Sequence, residues 1–195
     1  MKAVIAMDSF KGSLSSMEAG LAAREGILRV CPDAQVVVRP LADGGEGTTQ
    51  ALVEGLGGSY VLTEVTGPSG KPVTARYGIL ADGGTAVMEM AQAAGITLVR
   101  SEERDPGRAT TRGVGEMILD AVGRGCRNFI VGIGGSATSD GGVGMLQALG
   151  YEFTDAKGEP IPSGLDGLGR IERICVERAE PRLRECCFRV ACDVE

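Results

Sequence analysis

Three short segments of this chain carry side chains able to handle a charged substrate. They are Asp8-Ser9-Phe10-Lys11-Gly12-Ser13, Asp43-Gly44-Gly45-Glu46-Gly47-Thr48 and residues 134–142. Each follows an apolar run and sets carboxylates or hydroxyls among glycines. The third is the densest: Gly132-Ile133-Gly134-Gly135-Ser136-Ala137-Thr138-Ser139-Asp140-Gly141-Gly142, entered from Phe129-Ile130-Val131. Glycines in such a turn let backbone N–H groups approach an anion, and a following helix adds its positive end. Ser136 and Thr138 can donate to phosphate or carboxylate oxygens, and Lys11 can neutralise a phosphate as a point charge. Carboxylates gathered at such loops can hold Mg2+, a hard cation that works alongside substrate phosphates.

Other readings of the same residues compete. An aspartate before a helix often only caps it, and Asp-Gly-Gly is ordinary turn chemistry. Gly132-Ile133-Gly134-Gly135-Ser136-Ala137 also fits the G-x-G-x-x-A dinucleotide fingerprint, with Asp155 about 20 residues on. That reading, a dinucleotide-binding oxidoreductase, leaves Ser139-Asp140-Gly141-Gly142 unexplained. A Walker A loop is absent: Gly70-Lys71 is followed by Pro72, and Val65 stands where the motif needs glycine.

The 195 residues include no histidine. A Ser-His-Asp triad, a Cys-His pair and histidine-ligated zinc are therefore excluded within this chain. Acid–base work falls to carboxylates, lysine or cysteine, which favours chemistry by positioning and charge neutralisation, as in phosphoryl transfer. A formal net charge of −6 argues against nonspecific nucleic-acid binding. The six cysteines form no C-x-x-C pair, which suits reduced, mostly buried thiols. No stretch approaches the roughly 20 apolar residues of a membrane helix, and no signal peptide is visible, so the expected location is the cytoplasm and no membrane partner is expected.

The elements that must position these loops follow from periodicity and turn residues. Residues 2–6 read as a strand, and a helix capped by Ser13 or Ser15 runs to about residue 30, with Glu18 completing a capping box on Ser15. Residues 35–39 read as a second strand, continuous enough in Val36-Val37-Val38 to be buried in a parallel sheet, and a helix from about residue 46 to 56 follows. Residues 59–65, 73–80 and 85–90 read as a strand meander, which sets a domain boundary near residue 65. A helix over 111–122 and a strand over 128–131 lead into the third loop. Residues 151–154, 170–176 and 187–192 read as further strands, and 160–169 as a Gly/Pro loop. With 43% hydrophobic but only 4% aromatic residues, an aliphatic α/β core is expected.

Ala6-Met7-Asp8-Ser9-Phe10-Lys11-Gly12-Ser13-Leu14-Ser15, Ala42-Asp43-Gly44-Gly45-Glu46-Gly47-Thr48, residues 132–142 and Val190-Ala191-Cys192-Asp193-Val194 closely resemble, in order and spacing, segments of the bacterial class I glycerate kinases. The resemblance covers essentially the whole chain. It implies ATP-dependent, Mg2+-assisted phosphorylation of D-glycerate, and a homo-oligomer is a candidate assembly. It implies two α/β domains around a cleft. Residues 1–64 would form the N-terminal part of a Rossmann- or flavodoxin-like domain with a parallel sheet, and residues 65–195 a mixed α/β domain. It implies that Asp8 and Lys11 hold substrate or phosphate charge. Asp43 and Asp140 become candidates for metal binding or for accepting the glycerate hydroxyl proton. Gly134, Gly135, Ser136, Thr138 and Ser139 would contact oxyanions, and Asp193 is a further cleft carboxylate. The chain departs from the family at Met7, where proline is usual, and at Ser139, where asparagine is usual. Family members run to nearly twice this length, so the sequence is expected to be an N-terminal fragment. An inactive remnant of a glycerate kinase is the alternative to a working enzyme.

Overall fold

The computed structural model describes residues 1–8, 10, 13–41 and 44–192. Strand β1 (Lys2–Ile5) and strand β2 (Gln35–Val38) pair in parallel, linked by helix α1 (Ser16–Val30). The helix starts where the capping box requires. Ser15 Oγ accepts the Glu18 N–H, and Glu18 Oε2 accepts the Ser15 N–H at 2.8 Å. Its inner face is small, with Ala19 and Gly20 buried, and a Cβ on Gly20 would overlap Val38 Cγ1. Ser16 does more than pack. Its Oγ donates to the Met7 carbonyl at 2.6 Å and accepts the Leu41 N–H at 3.1 Å, so one hydroxyl ties the exits of both strands to the start of α1. The parallel pairing is as expected, but the burial is not. Val36, Val37 and Val38 are half-buried and Val4 is 66% exposed, because among the described residues this sheet has two strands and one covering helix.

Helix α2 spans Thr48–Leu56, two residues later than the sequence suggests. Gly47 has φ of 93° and no side chain, so the helix cannot reach back to Glu46 and has no cap of its own. Strands β3 (Gly58–Thr66), β4 (Pro72–Leu80) and β5 (Thr85–Glu89) then form the expected antiparallel meander. The tight turn after β3 closes with the Gly67 N–H on the Lys71 carbonyl. The turn before β5 is held by Asp82, which accepts the Gly84 and Thr85 N–H groups and the Thr85 hydroxyl. Helix α3 (Ala91–Ala94) and helix α4 (Arg112–Gly123) lead to strand β6 (Asn128–Gly132), which pairs in parallel with β5.

Helix α5 (Val143–Ala148) follows the glycine-rich loop. A two-stranded antiparallel sheet of β7 (Glu152–Thr154) and β8 (Arg173–Cys175) comes next, with helix α6 (Leu165–Leu168) inside the stretch expected to be loop. Strand β9 (Cys187–Ala191) returns to pair in parallel with β6. The main sheet is thus β3-β4-β5-β6-β9, mixed, with its parallel half at one end. The chain is an α/β fold with one parallel and one mixed sheet, as the sequence implies.

Both faces of the mixed sheet are covered. Val114, Met117, Ile118, Ala121 and Val122 of α4 bury Tyr77, Ala86, Met88 and Phe129 on one face. Helix α2 lies on the other, where Val53 fills the space a side chain on Gly78 would need. Alternation along β5 then sends Ala86 and Met88 toward α4, and Val87 and Glu89 toward α2. Among the described residues no cysteine is in a disulfide. Only Cys126 is buried, and Cys187 and Cys192 are exposed, since they lie on or just beyond an edge strand; the expectation of mostly buried thiols fails there. Among the described residues no helix is long and apolar enough to cross a membrane.

Tyr77, fully buried, donates its phenol hydrogen to Asp120 Oδ2 at 2.6 Å, and Arg124 Nε donates to the same oxygen at 2.9 Å. Burial, reinforced by Asp120, pushes the Tyr77 hydroxyl well above its ordinary 10.0. Burial alone would raise Asp120, but the bonds from Arg124 and Tyr77 outweigh it and hold the carboxyl below the usual range. The phenol's contribution is complete below its ordinary value and lost at higher pH, whereas that of Asp120 is present above the carboxylate range and lost in acid. Tyr77→Phe is expected to cost about 1–2 kcal/mol at neutral pH. It should also flatten the fall in stability above about pH 10, read by urea unfolding across pH.

Candidate active site

Because β5, β6 and β9 run in parallel, their carboxyl ends share one edge of the sheet. Register places Glu89, Gly132 and Ala191 side by side along that edge. Ligand sites of open α/β sheets form at such an edge. Here the 44–47 loop is pressed onto it. A Cβ on Gly132 would overlap the Gly44 carbonyl oxygen, a Cβ on Gly134 would sit 2.9 Å from Gly45 Cα, and a Cβ on Gly44 would overlap the Ala191 carbonyl. Gly134 donates its N–H to the Gly44 carbonyl at 3.3 Å. Thr48, buried at the start of α2, knits the 44–47 turn by accepting the Gly44 N–H and donating to the Gly45 carbonyl.

A cleft of about 590 Å3 opens beside this junction. All three loops singled out in the sequence reach it, through Asp8, through Gly45, Glu46 and Gly47, and through Gly134 and Gly135. The Gly135 N–H donates to no described acceptor, whereas that of Gly134 is committed to Gly44. Ser136 and Ser139 are exposed and Thr138 half-buried on the same loop, beyond the lining of the cleft. Ser136 Oγ and Thr138 Oγ1 bond to each other at 2.9 Å, and Ser136 Oγ accepts the Thr138 N–H. Lys11, Asp43 and Asp193 lie outside the described residues.

Asp140 stands apart from the cleft. It is 1% exposed, and its oxygens accept four protein donors. Oδ2 takes the Thr111 N–H and hydroxyl, each at 2.8 Å, and the Gly144 N–H at 3.1 Å, while Oδ1 takes the Gly142 N–H at 3.1 Å. It joins the end of the loop to the starts of α4 and α5, which is the capping geometry weighed against a catalytic one in the sequence. Asp155 accepts the Lys157 and Glu159 N–H groups in the turn after β7, where it shapes that turn.

The cleft holds side chains that sequence reasoning missed. Its described lining includes the carboxylates Glu46, Glu54 and Glu89 as well as Asp8, against a single described cation, Arg76. The Arg76 guanidinium lies 4.6 Å from the centre of the Tyr60 ring, and burial, with the nearby Glu54 charge, pushes the Tyr60 hydroxyl up. Glu89 is 4% exposed and accepts the Thr49 N–H on Oε1 at 2.8 Å, supplying from another element the cap that Gly47 cannot. The legible signal was an acid closing the apolar run Thr85-Ala86-Val87-Met88. Among the described residues no three metal-ligating side chains converge. Mg2+ needs no such cage when it retains waters and binds substrate phosphates through one or two carboxylates, so the acidic lining fits it chemically.

Compared with known proteins, residues 3–195 match the model of the glycerate kinase family. The chain belongs to the glycerate kinase family. It is 50% identical over 194 residues to the glycerate 2-kinase of Escherichia coli K12, covering 100% of this chain and 51% of that protein. It is 48% identical over 195 residues to the glycerate kinase of Bacillus subtilis 168, again across 100% of this chain and 51% of the relative. A crystal structure from Salmonella typhimurium LT2, assigned provisionally as glycerate kinase 2, superposes with a TM-score of 0.94 at 47% identity, covering 100% of this chain and 52% of that one. The chain therefore spans about half the length of the glycerate kinases it matches. None of these matches favours an oxidoreductase.

Two substitutions test the junction. Gly132→Ala should force the 44–47 loop off the sheet edge at a cost of about 2 kcal/mol or more, read by denaturant unfolding. Asp140→Asn should cost about 2–4 kcal/mol, because an amide NH2 must then face backbone donors, and amide exchange should quicken first at Thr111 and Gly144.

Proposed function

We propose that this chain forms one side of a glycerate kinase active site, transferring a phosphoryl group from ATP to D-glycerate. Family membership joined to the convergence of all three glycine loops on one cleft carries this reading. The name of the E. coli relative puts the phosphate on the 2-hydroxyl, and the same position is proposed here. Two α/β domains flanking the cleft are part of the proposal, one built on the β1–β2 sheet and one on the mixed sheet.

In this reading Lys11 neutralises phosphate charge and Asp8 lies at the cleft wall to orient a polar group of the substrate. The Gly135 N–H, which meets no described acceptor, is a backbone donor for an oxyanion, and the hydroxyls of Ser136, Thr138 and Ser139 on the same loop border its path. Asp43 is the proposed Mg2+ ligand, with Asp193 as a further carboxylate; the ion would neutralise charge on the phosphates. Asp140, with its four protein donors, is proposed to brace the loop instead of binding metal. Holding the loops in register is the work of described residues such as Ser16, Thr48 and Asp140, and in phosphoryl transfer such positioning supplies most of the acceleration.

The test is ADP release by the 195-residue chain with D-glycerate and ATP. D-glycerate-dependent turnover is expected, and its absence would favour the inactive-remnant reading. Lys11→Ala should lower kcat/KM at least about tenfold.

A further inference from the structure

We infer that Glu89 is a catalytic residue of this cleft, the carboxylate that accepts the proton of the glycerate hydroxyl as it is phosphorylated. The inference rests on the kinase reading above and names a residue that reading does not use. Glu89 ends β5 on the face that carries α2, in register with Gly132, where the glycine-rich loop begins. It lines the same cleft as Gly135, whose N–H meets no described acceptor.

Its bonding is what separates it from buried Asp140 and half-buried Glu116. Asp140 accepts four donors, and Glu116 accepts the Thr66 N–H, the Thr66 hydroxyl and Arg112. Glu89 accepts one, the Thr49 N–H, on Oε1, and no described donor reaches Oε2. Taking a carboxylate out of water costs more than one bond from a neutral amide returns. Capping α2 needs only one oxygen, and a glutamine would cap equally well. Oε2 is not among the buried unpartnered atoms, and with the side chain lining the cleft its open direction is the cleft itself. An oxygen fixed through its partner on Oε1 and open on Oε2 is a held acceptor, the geometry a general base requires.

The step balances with the nucleoside triphosphate as donor. The glycerate hydroxyl oxygen forms a bond to the terminal phosphorus. The bond from that phosphorus to the bridging oxygen breaks, its electron pair leaving with the diphosphate. The hydroxyl proton passes to Glu89 Oε2. Arg76, the described cation of the lining, faces the same space and suits the substrate carboxylate in charge.

Glu89→Gln separates the two roles, since its amide oxygen still accepts the Thr49 N–H while the charge on the cleft is lost. In the coupled assay with D-glycerate and ATP, kcat of this variant should fall at least about a hundredfold. KM for ATP should stay within about threefold. Its melting temperature should remain within about 2 °C of the wild type. Glu89→Ala, which removes the cap, should lose both activity and stability. Wild-type turnover with Glu89→Gln equally active overturns the inference and leaves the kinase reading intact. A wild-type chain that does not phosphorylate D-glycerate overturns both.

Discussion

The whole arrangement depends on three backbones touching where side chains would normally keep them apart. Gly44 lies against the end of β9, and Gly132 and Gly134 lie against Gly44 and Gly45. Each of these glycines carries an entropic cost of roughly 0.5–1 kcal/mol relative to alanine in regular structure. The return is that a loop from the N-terminal third of the chain closes directly onto the carboxyl edge of the mixed sheet. Without that approach, α2 would not reach Glu89, and Asp8 and Gly135 would not line one cleft.

Buried and half-buried polar groups fix the surroundings of this junction. Thr48 closes the 44–47 turn, Asp140 ties the glycine-rich loop to α4 and α5, and Glu116 anchors the end of β3 to α4. Their hydrogen-bonding capacity is spent inside the protein, so they hold the backbone still and present little to a ligand. Glu89, which accepts a single described donor, lines the cleft instead. Asp140 thus braces the glycine-rich segment away from the cleft, and the chemistry proposed for Glu89 is placed within it.

Much of this could be read from the sequence, for identifiable reasons. The meander, α1 with its Ser15 cap, α4 and β6 each carried a local signal: turn residues, a capping box or an apolar period. The gathering of the glycine loops followed from parallel strands having a common carboxyl edge. What was hidden depended on tertiary partners. The capping of α2 by Glu89 spans 40 residues of sequence, and Gly47 gives no hint of it. Asp140 looks the same in sequence whether it faces a ligand or four backbone and hydroxyl donors. Short α6 was lost in a Gly/Pro-rich stretch, and the exposure of Cys187 and Cys192 follows from the place of β9 at the sheet edge, which no local pattern encodes.

Ser16 has a mechanical consequence. Its hydroxyl clasps both Met7 and Leu41 at the first turn of α1, so the two strand exits cannot shift independently of that helix. A helix of this length extends about 22 Å away from the clasp. A tilt of about 5° would swing its far end by about 2 Å while hardly displacing the hydroxyl. Any small tilt of α1 about this clasp beside the cleft would therefore be amplified at Val30, on the outside of the molecule.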